Sequence, residues 1–227
     1  ASHELKTPMA GIKLICDSLV AAENPDPAMV KEFLGDMSDE VDRLTRIVER
    51  LLVLTKLDAG GNSLKLEEVY IKMLISQVVK KLTPIANAKD IVIYVDNHQT
   101  EFSPILLDYD KMYEAIYNIA DNAIKYSPEG GFVHIDITAD NDYLTIKIED
   151  NGPGIPEEER DRIFERFYRL DDSRARDTGG TGLGLAITKE AVLMHNGTID
   201  VANVSDIGSV FTIRLPYKIT IGGQNEK

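Results

Sequence analysis

Several features that mark secreted, membrane-spanning or nucleic-acid-binding proteins are missing from this sequence of 227 residues. Its one cysteine, Cys16, excludes an internal disulfide framework and is typical of a reducing compartment. No apolar run approaches the roughly 18 residues of a membrane span, and the first residues lack the pattern of a signal peptide. We therefore expect a cytoplasmic location and no direct membrane contact in this stretch.

Basic residues are also in short supply. The 25 lysines and arginines stand against 38 acidic residues, and the formal net charge is -13. Such a charge argues against non-specific binding to nucleic acid or to an anionic membrane, so a polyanion that binds must meet a local set of donors. The chain does not begin with Met and its helical pattern starts at once, so we expect a fragment of a longer protein.

The first 58 residues follow a helical period. Apolar residues recur at spacings of 4, 3, 4 and 3 from Leu5 to Leu19, and a heptad seam runs from Val30 to Leu51. Between them, "ENPDP" at residues 23–27 interrupts the pattern because two prolines cannot continue a helix. We predict an antiparallel helical hairpin over residues 1–60. Its wide apolar surface favours a homodimer with a four-helix bundle; packing on the rest of its own chain is the alternative.

Beyond the flexible-looking "DAGGNS" at residues 58–63, helical and strand periods alternate. We predict an α+β protein in which residues 64–220 form an α/β sandwich, with an antiparallel-rich sheet and helices on one face. Residues 221–227 are expected to be a disordered tail. The predicted strands are 64–71, 91–96, 104–108, 132–139, 143–150, 198–204 and 209–216, and the predicted helices are 73–88, 109–126 and 181–195.

One polar motif is "EDNGPGIP" at residues 149–156. Asp150 ends a predicted strand, where its carboxylate could accept a hydrogen bond from an exocyclic amine such as that of adenine. Gly152 and Gly154 would let the backbone turn tightly and approach a flat ring. Taken alone, the motif is more typical of a surface turn.

A second motif is the glycine-rich "TGGTGLGLAITKE" at residues 178–190. Glycines that precede and open a helix expose backbone N–H groups, which form a cradle for phosphates. The segment lacks the G-K-[ST] ending of a P-loop and follows no strand of a dinucleotide fold. By itself it indicates an anion site without naming the ligand.

A third motif lies on the helix predicted over residues 109–126. Asn118 and Asn122 are four residues apart on one face, and Lys125 and Tyr126 follow on the next turn. Amide oxygens suit a hard cation such as Mg²⁺, which keeps waters and phosphate oxygens in its other positions. A helix with a polar surface is the simpler alternative.

Together and in this order, the three motifs resemble the nucleotide site of the GHKL superfamily. With "SHELKTP" ahead of a helical hairpin and "FERFYR" at residues 164–169, the chain resembles the transmitter core of a sensor histidine kinase. The resemblance runs from Ser2 to about Pro216. It implies a HisKA dimerisation and phosphoacceptor hairpin, followed by a GHKL-type ATP-binding domain, in a two-component system.

The resemblance also implies the nucleotide site. Asp150 would contact the adenine amine, Asn122 with Asn118 would hold Mg²⁺, and residues from about 156 to 181 would form a lid from which Arg169 reaches the γ-phosphate. The remaining lid arginines, 162, 166, 174 and 176, are expected to pair with nearby acids. The implied ATP-binding residues are Asn118, Asn122, Lys125, Tyr126, Asp150, Gly152, Gly154, Ile155, Tyr168, Arg169, Gly180, Thr181, Gly182, Leu183, Gly184 and Thr212.

In the first segment, the resemblance makes His3 the nucleophile that takes the γ-phosphoryl group of ATP. Glu4 would accept the ring proton, Thr7 would position water for dephosphorylating the partner response regulator, and Pro8 would bend the helix. The phosphoryl group would pass to an aspartate of the regulator's receiver domain. The longer parent protein would be a sensor kinase anchored in the membrane.

Two other functions stay open. A hydrolytic ATPase or ATP-gated clamp would need a base near the metal-binding Asn, whereas the position one turn before it is Asn118, whose amide cannot take a proton from water. A scaffold that only binds a nucleotide or partner is the other alternative. Of the remaining histidines, His195 suits a cationic or capping role at a helix end, and no metal-ligand spacing links His98 and His134 to it, so we expect no zinc site.

Overall fold

The computed structural model describes residues 2–22, 25–58, 64–98, 102–170, 182–204 and 208–217. The chain separates into two compact units, Ala1–Ser63 and Leu64–Lys227. The tail predicted for residues 221–227 lies outside the described residues.

The first unit is a pair of helices, α1 (Ser2–Ala21) and α2 (Pro27–Asp58), packed against each other. Pro27 opens α2, where a missing backbone N–H costs nothing because the first helical N–H groups have no partner in the helix. The Asp26 carboxylate accepts a hydrogen bond from the N–H of Ala28 at 3.1 Å and so caps this start. Pro8 lies inside α1. The predicted helical hairpin is confirmed.

The second unit has three long helices and seven strands among the described residues. The elements in order are β1 (Leu66–Val69), α3 (Ile71–Ala88), β2 (Val92–Asn97), β3 (Ile105–Asp108), α4 (Tyr109–Tyr126), β4 (Phe132–Ala139), β5 (Tyr143–Asp150), α5 (Gly184–Met194), β6 (Thr198–Asn203) and β7 (Ser209–Pro216). Two 3₁₀ turns, Glu157–Glu159 and Arg162–Phe164, lie between β5 and α5.

Five strands form the main sheet in the order β2-β4-β5-β7-β6. Only the β2–β4 pair among them is parallel, and β1 pairs separately with β3 in an antiparallel ribbon. Alternate residues of the central strands are buried, Ile135, Ile146 and Ile213 among them, and the helices pack on that face. The predicted α/β sandwich is confirmed.

In the second unit the structure differs from the sequence-based bounds in six elements. β3 begins one residue later than predicted, at Ile105, and β6 ends one residue earlier, at Asn203. The other four differ as follows. β1 covers only four residues and α3 begins at Ile71, because Tyr70 already has the extended backbone of a helix N-cap. β2 lies one residue later than predicted. α5 begins at Gly184 instead of near residue 181. The strands Phe132–Ala139, Tyr143–Asp150 and Ser209–Pro216 have the predicted bounds.

In the described ranges, no helix is long and apolar enough to cross a membrane. The same ranges hold no group of three or more His, Cys, Asp or Glu side chains placed to bind a metal ion. His134 and His98 instead contact Asp96 and Asp136, at 2.9 Å and 2.8 Å, across the β2–β4 pair.

Candidate functional site

Asp150 lies at the end of β5 with only 5% of its surface exposed. Its Oδ1 accepts a hydrogen bond from the N–H of Gly152 at 2.8 Å, and its Oδ2 accepts one from Ser209 Oγ at 2.5 Å. Burial raises the pKa of this carboxyl above its usual value, although the hydrogen bonds from Ser209 and Gly152 act to lower it. An ionised carboxylate has about four acceptor positions, so Asp150 keeps acceptor capacity for a ligand amine.

Gly152 brings the strand end against the end of α4. A Cβ atom at this position would lie 2.8 Å from Asp150 Oδ1 and 2.9 Å from the backbone carbonyl oxygen of Tyr126. Since backbone cannot move aside as a flexible side chain can, only glycine fits. The carbonyl of Gly152 accepts a hydrogen bond from Gly208 at 2.7 Å, which ties this turn to the start of β7.

Gly154 has a φ of +75°, in the left-handed region that favours glycine. The next residue, Ile155, is nearly buried, and its N–H donates to Asn203 Oδ1 at 2.9 Å. A Cβ at position 154 would lie 3.1 Å from Asn203 Nδ2. The turn after β5 is thus held by side chains from β6 and β7, and sequence reasoning missed both Asn203 and Ser209.

Asn118 connects α4 to the first turn of α5. Its Nδ2 donates to the carbonyl oxygen of Gly184 at 3.3 Å, which leaves Oδ1 as the amide atom that can accept or ligate. A Cβ at position 184 would lie 3.4 Å from Asn118 Cγ, so the two elements approach closely. Asn122 is half-buried one turn further along α4.

Lys125 and Tyr126 end α4, as predicted. Lys125 Nζ lies 2.5 Å from Asp121 Oδ2. The ammonium group that the sequence predicts to contact phosphate therefore already pairs with a carboxylate. Tyr126 is exposed over 48% of its surface. Sequence reasoning missed Asp121, although the spacing of four residues to Lys125 on one helix predicts such a pair.

The glycine-rich segment meets the aromatic segment through the backbone. Gly182 has a φ of +69°, and its carbonyl accepts a hydrogen bond from the N–H of Phe167 at 2.8 Å. A Cβ at position 182 would lie 2.9 Å from the Phe167 carbonyl carbon. Leu183 is buried, and among the described residues no side chain caps the N-terminus of α5 that follows. Gly180 and Thr181 lie outside the described residues.

Tyr168 is tied to the 3₁₀ turns that precede it. Its hydroxyl donates to a carboxylate oxygen of Glu159, and this hydrogen bond raises the pKa of the phenol. The Arg162 guanidinium lies 4.4 Å from the centre of the Tyr168 ring and 3.1 Å from the same carboxylate. Arg162 therefore pairs with an acid, as predicted. Arg169 is half-buried and follows directly.

Thr212 does not lie with Asp150. Side chains alternate between the two faces of a strand, and β7 buries Ser209, Phe211 and Ile213 on the face with the helices. Thr212 is on the opposite face, in register with Lys147 and Asp200. We therefore correct the predicted site by removing Thr212 and adding Ser209.

The predicted phosphoacceptor residues His3, Glu4 and Thr7 lie within α1. Their side chains fall outside the part of the chain whose side chains are described, so their predicted roles stay predictions. Pro8, which follows them in the same helix, is buried.

His195 follows α5 and is fully buried. Its Nε2 accepts a hydrogen bond from the N–H of Asp108 at 2.9 Å, and its Nδ1 lies 2.6 Å from the carbonyl oxygen of Ala191. An acceptor nitrogen on one side and a donor on the other require the uncharged ring, and burial lowers the pKa of His195. The capping role suggested by the sequence fits this geometry, whereas the cationic one does not.

Comparison with known families matches both units. Residues 1–60 match the His Kinase A (phospho-acceptor) domain. Residues 107–219 match the family described as histidine kinase-, DNA gyrase B-, and HSP90-like ATPase.

Similar proteins are sensor kinases. The sensor histidine kinase WalK of Bacillus subtilis (strain 168) is 37% identical over 221 residues, which are 96% of this chain and 36% of that relative. The solved structure of Acinetobacter baumannii histidine kinase AdeS is 27% identical, covers 95% of this chain and 98% of its own, and has a TM-score of 0.68.

Full-length ShkA, solved in complex with AMPPNP, is 28% identical, with a TM-score of 0.70 over 95% of this chain and 44% of its own. The chain thus spans little more than a third of its curated relative WalK. Both units match domains of this family, and the likeness to solved histidine kinases runs over nearly the whole chain. The chain belongs to the sensor histidine kinase family.

Proposed function

We propose that this chain is the core of a protein histidine kinase that binds Mg-ATP, phosphorylates itself on His3 and passes the phosphoryl group to an aspartate of a response regulator. The observation that carries the proposal is the arrangement of Asp150 and the start of α5. A buried carboxylate lies beside Tyr126 at the C-terminal end of α4, and a glycine-opened helix start lies two turns back, beside Asn118 near the middle of α4. This suits a ligand with an amine-bearing ring at one end and phosphates at the other.

At the ring end, Asp150 would accept a hydrogen bond from the adenine amine. Ser209 and the N–H of Gly152 fix the orientation of its carboxylate before the ligand arrives. Gly152 and Gly154 let the turn after β5 close against the Tyr126 carbonyl oxygen and the Asn203 side chain, where a Cβ atom would lie at 2.9 Å and 3.1 Å. The backbone beside the Asp150 carboxylate therefore stays compact. Tyr126 and Ile155 offer apolar surface to the base, whereas Leu183, directly before α5, would lie at the phosphate end.

At the phosphate end, the first N–H groups of α5 and the Lys125 ammonium supply positive charge. The carbonyl oxygens of the Asn118 and Asn122 amides fit Mg²⁺, since the Asn118 nitrogen is already turned to Gly184. When bound, Mg²⁺ would supply charge neutralisation on the phosphates. Arg169 from the lid and Gly180, Thr181 and Gly182 complete the proposed phosphate contacts, and Tyr168 would help to hold the lid.

His3 would attack the γ-phosphorus through the ring nitrogen that carries the lone pair. A P–N bond forms, the bond from phosphorus to the bridging oxygen of the departing ADP breaks, and the proton on the other ring nitrogen moves to Glu4. A neutral imidazole is required, and its ordinary pKa of about 6.5 supplies one at neutral pH. Thr7 would position water when the same helix promotes dephosphorylation of the regulator.

We propose that the hairpin forms a homodimer. Leu34, Val41 and Val48 are exposed on α2 at intervals of seven residues, which is the repeat of a helix seam that packs against another helix. Met9 and Leu14 are exposed on α1. A second copy would cover these side chains and form a four-helix bundle that also presents the docking surface for the receiver domain of the regulator. The chain would be the cytoplasmic part of a membrane-anchored sensor.

The hydrolytic alternative lacks support in the site. Asn118 uses its amide nitrogen on Gly184 and has no group that takes a proton from water. Asp121, the nearest carboxylate along α4, is paired with the Lys125 ammonium at 2.5 Å. The site therefore suits a nucleophile brought from elsewhere in the protein.

Labelling with γ-³²P-ATP tests the proposal. We expect the wild-type protein to gain a label that is stable in base and lost in acid, and His3→Gln to lose all of it while its ATP affinity is unchanged. Asp150→Asn is the matched control, because it should lose ATP binding while keeping His3. Labelling that persists in His3→Gln would refute the assignment, and sustained phosphate release from that variant would favour the hydrolytic alternative.

A further inference from the structure

Polar links join α4 to α5 inside an otherwise apolar contact. Asn118 Nδ2 donates to the carbonyl oxygen of Gly184 at 3.3 Å. Three residues earlier on α4, the carbonyl oxygen of Ala115 lies 3.3 Å from Thr188 Oγ1. The contact from Asn118 to Gly184 is followed by one from Ala115 to Thr188, so the chain runs in opposite directions in the two helices. The helices are therefore antiparallel, and the hydrogen bonds lie along the line of contact between them.

Thr188 is fully buried in this contact. Its single hydroxyl proton faces two carbonyl oxygens, that of Gly184 on its own helix at 2.9 Å and, in a longer shared contact, that of Ala115 on α4 at 3.3 Å. A buried hydroxyl costs free energy unless it is hydrogen-bonded, and an apolar side chain of the same shape would fill the same space. The hydroxyl therefore adds little to the free energy of burial, and its main effect is to fix how the two helices are aligned.

The third link closes the line at the far end of α5. The N–H of Asp108 donates to His195 Nε2 at 2.9 Å, and the other ring nitrogen donates to Ala191 at 2.6 Å. Asp108 also caps α4, since its carboxylate accepts a hydrogen bond from the N–H of Lys111. The end of α5 is thus fixed to the beginning of α4.

We infer that Thr188 and His195 are positioning residues for the phosphate end of the nucleotide site, an inference that rests on the proposed function. Neither residue would touch the nucleotide. Each fixes the longitudinal position of α5 against α4, and hence where the first N–H groups of α5 lie relative to Asn118. The 11-residue helix is about 16 Å long and rigid, so a displacement at His195 reaches Gly184.

The ring end of the site is independent of this line of links. Asp150 is held by Ser209 and Gly152, which belong to β7 and to the turn after β5. A change in the α4–α5 alignment should therefore weaken binding of phosphates and leave binding of adenosine unchanged. A loss of folding would weaken both.

Thr188→Val tests the inference because it removes the hydroxyl and keeps the shape. The affinities of Mg-ATP and of adenosine are measured by titration calorimetry on the whole chain. We expect ATP affinity to fall by about threefold to tenfold, the range that corresponds to one hydrogen bond, with adenosine affinity unchanged. Thr188→Ser, which keeps the hydroxyl, should restore ATP affinity.

Thr138→Val is the matched control, since Thr138 is a half-buried threonine on β4, in register with Thr145. It should change neither affinity. The inference is overturned if Thr188→Val lowers both affinities equally, or if it changes neither. The inference would also be overturned if the wild-type chain bound Mg-ATP no more tightly than adenosine. A wild-type chain that binds neither compound would instead overturn the proposed function.

Discussion

The two units of this chain differ in how far they bury their apolar side chains. The α1–α2 hairpin exposes large apolar residues along both helices, at Met9, Leu14, Val20, Met29, Leu34, Val41 and Val48. The second unit encloses its apolar residues between one sheet face and three helices. A two-helix hairpin has too little interior to be stable alone. We therefore expect the stability of the first unit to depend on association and that of the second unit to be internal.

The largest effect is expected from charging the exposed face of α2. Leu34→Glu combined with Val41→Glu should weaken the dimer by more than about 100-fold, since each apolar side chain contributes about 1.5–3 kcal/mol when buried. Sedimentation equilibrium measures the dissociation constant, and ATP affinity should not change. Glu32→Gln with Asp36→Asn, at exposed acidic positions of the same helix, is the control that should leave the dimer intact.

A dimer that survives both Leu34→Glu and Val41→Glu would show that another surface forms it. A wild-type chain that is monomeric at high concentration would refute the bundle for this stretch. A monomeric wild-type chain would also show that the first unit does not need a second copy for its stability, as we propose that it does.

The second unit should lose stability in acid because of His195. Burial lowers the pKa of this ring below its value in the unfolded chain, near 6.5, so the unfolded state binds more protons as the pH falls. The stability contributed by the neutral ring is present above pH 6.5 and is lost below it, by at most about 1.4 kcal/mol per pH unit.

Urea unfolding monitored between pH 7 and pH 5 measures this loss. Asp150 acts with the opposite sign, because its raised pKa favours proton uptake by the folded state. His195→Gln should therefore flatten or invert the slope, whatever its stability at pH 7, whereas Thr138→Val, which changes no titratable group, should keep it. An unchanged slope in His195→Gln would contradict the assignment.

The smallest effect concerns the two faces of β7. Ser209→Ala removes the hydrogen bond to Asp150 and should lower ATP affinity by about threefold to tenfold, as expected for one lost hydrogen bond. Thr212→Val, three residues along the same strand, should change ATP affinity by less than twofold. The reverse ranking would restore Thr212 to the site and contradict the observed register.

Strand and helix periods predicted the elements of this fold well, and they failed where a contact depends on residues far apart in sequence. Strands β4, β5 and β7 have clear alternation of two, which fixed their bounds. The pattern does not show which face of β7 meets Asp150, because that depends on pairing with a strand some 60 residues earlier. Thr212 enters the predicted site only through the family resemblance, and nothing in the pattern along β7 favours Ser209 over it.

The same limit applies to His195. Its neighbours along the chain suggest a helix cap, but its second partner is the N–H of a residue 87 positions earlier. Only the fold reveals that the ring is uncharged. In contrast, the Asn118, Asp150 and Gly182 motifs could be found from the sequence, because each is local and each combines glycine or amide residues that a surface turn or ordinary helix does not need together.

Gly152 and Gly208 give this site an unusual fragility toward mutation. A Cβ at position 208 would collide with the backbone oxygen of Asp150, and one at position 152 would collide with that of Tyr126. Because both obstacles are main chain, no substitution at a neighbouring side chain can make room. At these two positions every replacement therefore strains the turn, and only reversion to glycine restores it.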